Sequence, residues 1–93
     1  MKFSKETATE RAKKDLSDRL DIDVSEVATA SISEKEFSDM SLGSPAEGEM
    51  AAQMIASGWT IKLAAAGKDY EYRADKYQLR LHNFKGANYV IES

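Results

Sequence analysis

Apolar and polar residues alternate with a period of two along most of the C-terminal half of the chain. From residue 59 onward the apolar positions are Trp59, Ile61, Leu63, Tyr70, Tyr72, Ala74, Tyr77, Leu79 and Leu81. Because successive side chains of a strand point to opposite faces, this alternation predicts three strands that are each buried on one side only. Residues 64–68 interrupt the pattern and are interpreted as a hairpin turn in which Gly67 supplies a positive φ.

A period of four marks the N-terminal segment and predicts a helix over residues 5–20. Its narrow apolar stripe consists of Ala8, Ala12, Leu16 and Leu20. Ser4 can cap the N-terminus of this helix, and Glu6 lies in the first turn, where a carboxylate interacts favourably with the helix dipole. The stripe has too few large residues for a coiled coil, so we expect the helix to pack on the sheet.

The strand predicted before residue 59 is less regular than those after it. Residues 27–33 are β-branched or small and predict a first strand. We expect residues 34–36 to end or interrupt this strand, because Phe37 falls out of phase with Ile32. A bulge or a strand end is the simplest cause of such a phase change.

Two further segments complete the predicted sheet. Residues 50–56 fit either a helix or a strand, and we interpret a strand that begins after Gln53 and contains a bulge at its Ser-Gly pair. Residues 83–88 predict a turn, and residues 89–91 predict a short closing strand. Together these elements predict a single α+β domain over residues 1–93, with one N-terminal helix packed on an antiparallel meander of four or five strands.

Composition narrows the classes of partner and chemistry. The chain has 93 residues, 13 basic and 16 acidic side chains, a net charge of −3 and no cysteine. The lack of cysteine excludes disulfides and thiolate metal sites, and the interleaving of basic with acidic residues argues against nucleic-acid binding. No apolar run approaches the ~20 residues that cross a bilayer. We therefore expect no membrane insertion, and we expect a monomer.

Residues 38–48 form the longest irregular stretch and are the first candidate site. The stretch contains the only proline, yet its apolar residues Met40 and Leu42 indicate that it is pinned to the domain. We expect binding of a protein or peptide to involve Asp39, Leu42, Gly43, Ser44 and Pro45. The alternative is a structural role, in which Asp39 caps a turn, Leu42 anchors the loop and Gly43 supplies backbone freedom.

The polar side of the predicted sheet is the second candidate site. Its charged and polar positions on neighbouring strands are Lys62, Glu71, Arg73, Arg80 and His82. One interpretation is a solvated face whose cross-strand ion pairs are each worth on the order of a few tenths of a kcal/mol. The other interpretation is a polar binding surface for a partner.

No motif indicates catalysis or metal binding. His82 is the only histidine, and although Ser44 or Ser57 could in principle form a triad with it, neither serine lies in a nucleophile-elbow pattern. One histidine with scattered carboxylates also lacks the spacing of metal ligands. We therefore expect no enzyme activity, no metal and no cofactor, and a hydrolase that uses Ser44 or His82 is the alternative class.

Two sets of short motifs carry a family resemblance: Leu42-Gly43-Ser44-Pro45 in the loop, and Gly67-Lys68 with Tyr70-Glu71-Tyr72 in the strands. With these motifs the chain resembles a group of small uncharacterised prokaryotic domains that are often found in exported proteins or lipoproteins. The resemblance implies a fold and no particular activity. The relatives have cysteine at the position of Ser44, and if that cysteine forms a disulfide, its loss here suits a reducing compartment.

The order of a helix followed by hairpins is also similar, more loosely, to the PepSY type of domain, a small module associated with peptidase inhibition and found in exported proteins. The function we expect is a non-enzymatic domain that binds a protein or peptide. A PepSY-like peptidase-inhibitor or regulatory module is one alternative. Another is a structural module, in which an edge strand near residues 27–33 or 89–91 pairs with a second copy.

The N-terminus bears on where the protein is located. Residues 1–6 start with a positive charge, but no hydrophobic stretch follows them. A signal peptide is therefore not predicted. We expect the protein either in the cytoplasm or exported with its signal peptide already removed.

Overall fold

The computed structural model describes residues 2–93 and shows one helix packed on a five-stranded antiparallel sheet. The helix α1 spans Lys5–Leu20, and a short 3-10 turn at Val24–Glu26 leads into the sheet. The strands, each paired with the next, are β1 (Ala28–Phe37), β2 (Ala56–Ala65), β3 (Lys68–Ala74), β4 (Leu79–Phe84) and β5 (Ala87–Glu92). This meander confirms the predicted α+β class. Within residues 2–93, no helix has the length and apolar character needed to cross a bilayer.

Local hydrogen bonds define where α1 begins, and its apolar stripe places it on the sheet. The Ser4 side chain accepts a hydrogen bond from the Thr7 N–H at 3.1 Å, which confirms Ser4 as the N-cap. The Tyr72 hydroxyl of β3 donates to the Asp15 carboxylate of α1 at 2.7 Å. Burial is the main reason that the pKa of Tyr72 is raised, so the hydroxyl keeps the proton that this hydrogen bond needs.

The helix-facing side of the sheet forms the main hydrophobic core. Its completely buried side chains come from α1 and from alternate positions of β2, β3 and β4, namely Ala8, Ala12, Leu16, Ile61, Leu63, Tyr72, Ala74, Leu79 and Leu81. The period-two alternation is confirmed at these strand positions. Removal of this apolar area from water is the main driving force for folding.

β1 runs to Phe37, so the expectation that residues 34–36 interrupt the first strand is wrong. Over this stretch β1 keeps an unbroken register with β2. The irregularity lies earlier, between Thr29 and Ser31, where Ala30 is an extra residue relative to β2. A bulge of this kind leaves the pairing on both sides of it intact.

Phe37 falls out of phase with Ile32 because the two side chains lie on opposite faces of the sheet. Ile32 packs against the main core, whereas Phe37 forms a second, smaller cluster with Leu42 and Ala56. All three members of the second cluster are buried, and Met40 packs against them. The sheet therefore has a hydrophobic contact on each face, and the second contact fixes part of the segment between β1 and β2.

Two-residue turns connect β2 to β3 and β4 to β5. Ala66 and Gly67 form the first turn, Lys85 and Gly86 form the second, and all four residues have a positive φ. Such backbones are typical of the type I′ turn that suits the twist of a hairpin. The first turn confirms the predicted hairpin at Gly67. The second is shorter than the turn predicted at residues 83–88, since β4 and β5 extend into that segment.

The strand expected after Gln53 is present as β2, but it begins at Ala56, so the expectation that it includes residues 54–55 is wrong. The bulge expected at residues 57–58 is also absent, because the register with β1 is continuous there. Gly58 is buried, and a Cβ at this position would lie 2.0 Å from the carbonyl oxygen of Ala74. No side chain fits in that space, so glycine is required where β2 crosses the end of β3.

Tyr77 is exposed, which contradicts its expected place on the buried side of a strand. β3 ends at Ala74 and β4 begins only at Leu79, so Tyr77 lies in the turn between them. The Asp75 carboxylate accepts hydrogen bonds from the N–H groups of Tyr77 and Gln78, at 2.8 and 3.0 Å. A carboxylate that binds the backbone two and three residues ahead stabilises a turn in place of a strand.

Candidate functional site

The segment after β1 crosses the sheet face opposite α1, and we call residues 38–49 the strap. Four side chains donate hydrogen bonds to strap carbonyls: Gln78 to Met40 at 2.7 Å, Arg73 to Leu42 at 3.0 Å, Arg80 to Ser44 at 3.2 Å and Asn88 to Pro45 at 3.0 Å. Leu42 adds a completely buried apolar anchor. Because Arg73, Arg80 and Asn88 belong to three successive strands, the strap is fixed across β3, β4 and β5.

Arg80 forms a bidentate ion pair that joins the sheet to the strap. Arg80 is only 5% exposed, and both of its terminal nitrogens donate to the carboxylate of Glu49. Its Nε donates to the Gln78 side chain at 2.7 Å. The hydrogen bonds from Arg80 are the largest cause that lowers the pKa of the Glu49 carboxyl to about 2, from its usual 4.5. Glu49 therefore stays ionised and balances the buried guanidinium.

Arg73 is held by a separate set of contacts. Its Nε donates to Glu71 at 2.7 Å, and its Nη1 donates to the Leu42 carbonyl. Gly43 allows this approach, because a Cβ at that position would lie 2.8 Å from Nη1 of Arg73. Gly43 also has a φ of +67°, a conformation that favours glycine. The strap therefore requires glycine at this point for two reasons.

Asp39 organises the start of the strap by accepting hydrogen bonds from its neighbours in the chain. Its carboxylate accepts from the N–H groups of Ser41 and Gly43, at 2.8 and 3.3 Å, and from the Ser41 hydroxyl. The hydroxyl bond is the largest cause of the lowered pKa of Asp39. Leu42 follows with a φ of +58°, an unfavourable conformation for leucine that burial of its side chain offsets.

Ser44 and His82 form a contact that resembles part of a catalytic triad. The Ser44 hydroxyl lies 2.8 Å from Nδ1 of His82, and Nε2 of the ring faces the Arg73 guanidinium at 3.5 Å. A guanidinium nitrogen only donates, so this contact favours the tautomer in which Nε2 accepts and Nδ1 carries the proton donated to Ser44. In a serine hydrolase the histidine instead accepts the serine proton and is oriented by a carboxylate.

The surroundings of His82 favour the neutral form of its ring. Burial and then the charge of Arg73 lower its pKa, against the opposing effect of Glu71. Ser44 is completely buried, so a substrate has no direct access to its hydroxyl. The contact between Ser44 and His82 links the middle of the strap to β4.

The two sets of residues predicted as candidate sites meet on this one face of the sheet. In the strap set, the buried members are Leu42 and Ser44, and the more accessible ones are Asp39, Gly43 and Pro45. In the sheet set, the members that contact the strap are Arg73, Arg80 and His82, whereas Glu71 pairs with Arg73 and Lys62 is exposed. The interpretation of a solvated polar face is therefore wrong where the strap covers it. A direct role in binding for either set of residues remains a prediction.

Glu49, Gln78 and Asn88 also belong to this face, although no sequence pattern singles them out. Their partners in the strap or sheet lie 31, 38 and 43 positions away in the chain. One usable signal is the placement of Arg73 and Arg80 on a single predicted face. Two such arginines need more acidic partners than Glu71 alone supplies, which points to a carboxylate from another segment.

A second candidate surface lies at the end of the sheet where β2 begins and β3 turns into β4. Two open grooves of about 470 and 290 Å³ adjoin there, and Ser57 and Lys76 line both. Trp59 lines the larger groove, and Ile55 and Tyr77 line the smaller one. Ile55 is 72% exposed and Tyr77 is 60% exposed. We call this region, defined by Ile55, Trp59 and Tyr77, the Tyr77 surface.

Hydrogen bonds beneath Tyr77 hold the turn that presents it. Besides binding the Tyr77 N–H, Asp75 donates its own N–H to the Gln78 carbonyl at 3.1 Å. The Gln78 side chain donates to Asp75 at 3.4 Å and to the Met40 carbonyl at 2.7 Å. The position of Tyr77 is thereby linked to the strap.

The segment between the strap and β2 adds flexible apolar groups close in sequence to Ile55. Met50 and Met54 are 97% and 63% exposed, and residues 50–55 form neither helix nor strand. Unbranched methionine side chains adapt to the shape of a partner. Uncovered apolar side chains gathered in one region are typical of surfaces that contact another protein.

Comparison with known proteins places the chain in a family. A family model described as "Domain of unknown function (DUF8738)" matches residues 9–82, which include most of α1, the whole strap and β1 to β3. A search of curated proteins and of solved structures finds no match.

Proposed function

The chain belongs to the DUF8738 family, and we propose that it is a non-enzymatic module that binds a protein or peptide at the Tyr77 surface. The observation that carries this proposal is the exposure of Ile55 and Tyr77 beside the half-buried Trp59, at two adjoining grooves. Tryptophan and tyrosine are the residues that most often dominate the binding energy of protein interfaces. The large and partly rigid rings gain contact area at a low cost in conformational entropy.

Preorganisation of the turn supports the same proposal. Asp75 binds the backbone of Tyr77, and Gln78 connects that turn to the strap. A partner that packs on Tyr77 therefore does not have to order the backbone that carries it, and less of the interaction energy is lost on binding. Met50 and Met54 are exposed in the segment that leads to Ile55, and their unbranched side chains can adapt to a partner.

The geometry around Ser44 supports a non-enzymatic function. A hydrolase would need Ser44 to be accessible and His82 to accept its proton. Ser44 is buried, and the neighbouring Arg73 favours the tautomer in which Nδ1 already carries a proton. Within residues 2–93, no group of three or more histidine, cysteine or acidic residues is arranged to hold a metal ion.

The strap then has a positioning role in this function. Met40 lines the smaller groove, and its carbonyl accepts the hydrogen bond from Gln78 beneath Tyr77. Asp39 fixes the turn next to Met40. We therefore place Asp39 and Leu42 of the predicted binding set behind the Tyr77 surface, where they help to determine its shape.

Selection from a random peptide library displayed on phage, against the immobilised protein, tests the proposal. The selected peptides are then titrated against the wild-type protein and against Tyr77→Ala and Ile55→Ser. Loss of an interface anchor lowers affinity by at least about tenfold. Val24→Ala is the matched control, because Val24 is an exposed apolar residue, 47% accessible, that lines neither groove.

Two results contradict the proposal. One is that no peptide binds more tightly to this protein than to an unrelated domain of similar charge. The other is that the selected peptides bind Tyr77→Ala and Ile55→Ser as tightly as the wild-type protein while both variants keep their folded circular dichroism spectrum.

A further inference from the structure

β1 has a free edge along its whole length. It is the first strand of the sheet order, and β2 is its one strand neighbour within residues 2–93. All its residues except Ile32 and Phe37 are exposed. From Ser31 to Phe37 it pairs with β2 without a register shift, so the outer row of N–H and C=O groups is regular over this stretch. A regular, uncovered edge is a template for one more strand.

The opposite edge of the sheet does not offer a comparable template. β5 has six residues, and its pairing with β4 is irregular at two places. Register shifts bend and twist a strand and disturb its outer row of hydrogen-bonding groups. The two edges of this sheet therefore differ, and only β1 presents a long regular one.

The charges of β1 select the kind of strand that can be added. Glu34 pairs with Trp59 in the ladder, so both point to the helix side of the sheet, and Glu36 follows two residues later on the same side. Both glutamates are exposed and line the larger groove. No ion pair between residues 2 and 93 involves either of them. Two unpaired carboxylates at alternate positions of one face match basic side chains at alternate positions of a neighbouring strand.

Two lysines, Lys35 and Lys76, also line this groove, but they do not cancel the preference. Lys35 points to the other face of β1, because it lies between the two glutamates in the strand. The backbone of Lys76 follows β3 and lies about three strand spacings, or roughly 14 Å, from an added strand, whereas its side chain reaches the groove. Glu34 and Glu36, by contrast, would be directly beside the added strand.

The same charges disfavour a second copy of the chain as the added strand. Antiparallel pairing of β1 with β1 of another copy keeps the helix sides of both sheets on one side. A register that pairs their charged ends places Glu34 opposite Glu36 and Lys35 opposite Lys35. Like charges directly opposite each other destabilise a sheet.

We propose that β1 binds an extended segment with lysine or arginine at alternate positions, by adding it as a sixth strand beside Glu34 and Glu36. This inference rests on the proposed function, because these two glutamates and Trp59 line the same groove of the Tyr77 surface. It names the class of partner: an extended basic segment of another protein. Backbone hydrogen bonds to β1 supply affinity, and the glutamates supply the preference for basic residues.

A fluorescein-labelled heptapeptide of alternating valine and lysine, titrated by fluorescence polarisation, tests this inference. Its controls are the same peptide with glutamate in place of lysine, and one with proline at its central position, which cannot complete the ladder. We expect the lysine peptide to bind most tightly. Glu34→Lys combined with Glu36→Lys should weaken it by about tenfold or more, because two favourable cross-strand pairs become unfavourable.

Glu10→Lys combined with Asp69→Lys is the matched control variant. Both residues are exposed, and the pair gives the same change of net charge at positions away from β1. This variant should bind the lysine peptide more tightly than the Glu34/Glu36 variant does. Amide hydrogen exchange gives the structural readout, since an added strand should slow exchange at outward-facing N–H groups of residues 31–37.

The inference is overturned if the lysine and glutamate peptides bind equally well, or if the two double variants have equal effects. It is also overturned if amide exchange at residues 31–37 is unchanged, or if the wild-type protein is a dimer in light scattering that pairs through β1. The outcome is also separable from that of the proposed function. Library-selected peptides that depend on Tyr77 but are insensitive to reversal of Glu34 and Glu36 would leave the proposed function standing and remove the β1 inference alone.

Discussion

Arg73 and Arg80 lie directly opposite each other in neighbouring strands, with their guanidinium groups on the same face of the sheet. Two like charges at such a position repel each other. The structure compensates each one separately, since Arg73 pairs with Glu71 and Arg80 with Glu49. Each arginine also donates to a strap carbonyl. The strap therefore helps to stabilise this arginine pair, and removal of a strap carboxylate should lower the stability of the whole domain.

Glu49→Gln tests this dependence. The amide keeps the shape of the side chain but removes the charge that balances the buried Arg80. We expect the free energy of unfolding in urea to fall by about 2 kcal/mol, less than the ~3–5 kcal/mol lost when a fully buried pair is broken, because the Glu49 side chain keeps contact with water. Glu47→Gln is the matched control, since Glu47 is an exposed strap residue, and it should change stability by less than about 0.5 kcal/mol. Equal stability of the two variants would show that the strap contributes little.

The same ion pair predicts how stability depends on pH. The pKa of Glu49 is lowered to about 2 in the folded protein, from its usual 4.5. Its stabilising effect is therefore complete above about pH 4.5 and is lost as the pH falls toward 2. Asp39 also has a lowered pKa and contributes in the same direction.

Urea unfolding at several pH values between 5.5 and 2.5 measures this effect. The stability of the wild-type protein should fall more steeply with decreasing pH than that of Glu49→Gln, and the two curves should approach each other at the acidic end. Parallel curves would mean that Glu49 is not the group that titrates.

Gly58→Ala should be among the most destabilising single-methyl changes in this chain. The added Cβ would lie 2.0 Å from the Ala74 carbonyl oxygen, and a backbone atom cannot move aside as a flexible side chain can. We expect a loss of about 3 kcal/mol in thermal or urea unfolding, at the upper end of what overpacking usually costs. Ser57→Ala is the control one residue earlier, where the side chain is exposed. A Gly58→Ala protein as stable as Ser57→Ala would contradict the close contact between β2 and the end of β3.

The sequence predicts α1 and the buried faces of β2, β3 and β4 because each has one face in the core, which imposes a period on the chain. β1 has no such period, since nearly all of it is exposed, and the prediction therefore ends it too early. The position of Tyr77 is missed for a different reason. Tyr77 occupies a position that the period-two alternation assigns to the buried side of a strand. The hydrogen bonds of Asp75 with the backbone form a turn there instead.

The strap is the part that the sequence predicts least well. Its apolar residues indicate that it is pinned, and the burial of Leu42 agrees with that expectation. The place where it is pinned depends on pairs such as Arg80 with Glu49, which are far apart in the chain. Arginine is normally exposed, so alternation places Arg80 in solvent. Only contacts across the fold show that it is buried.

The tautomer of His82 provides a direct test of the proposal that the face beneath the strap is structural. We predict a neutral ring at pH 7 with the proton on Nδ1, because burial and Arg73 lower its pKa and Nε2 faces a group that only donates. Long-range ¹H–¹⁵N correlation spectra distinguish this tautomer from the one with the proton on Nε2. The midpoint of the ring's titration should lie below its usual pKa of about 6.5.

Two variants separate this structural role from catalysis. Ser44→Ala removes the acceptor of the Nδ1 proton and should lower the free energy of unfolding by about 1 kcal/mol. Arg73→Met should shift the tautomer, because it removes the donor that faces Nε2. A catalytic serine would give a different pattern: the wild-type protein would react with a fluorophosphonate probe, Ser44→Ala would abolish that reaction, and Nδ1 would be found without its proton. That combination of results would show that Ser44 and His82 form a nucleophilic site.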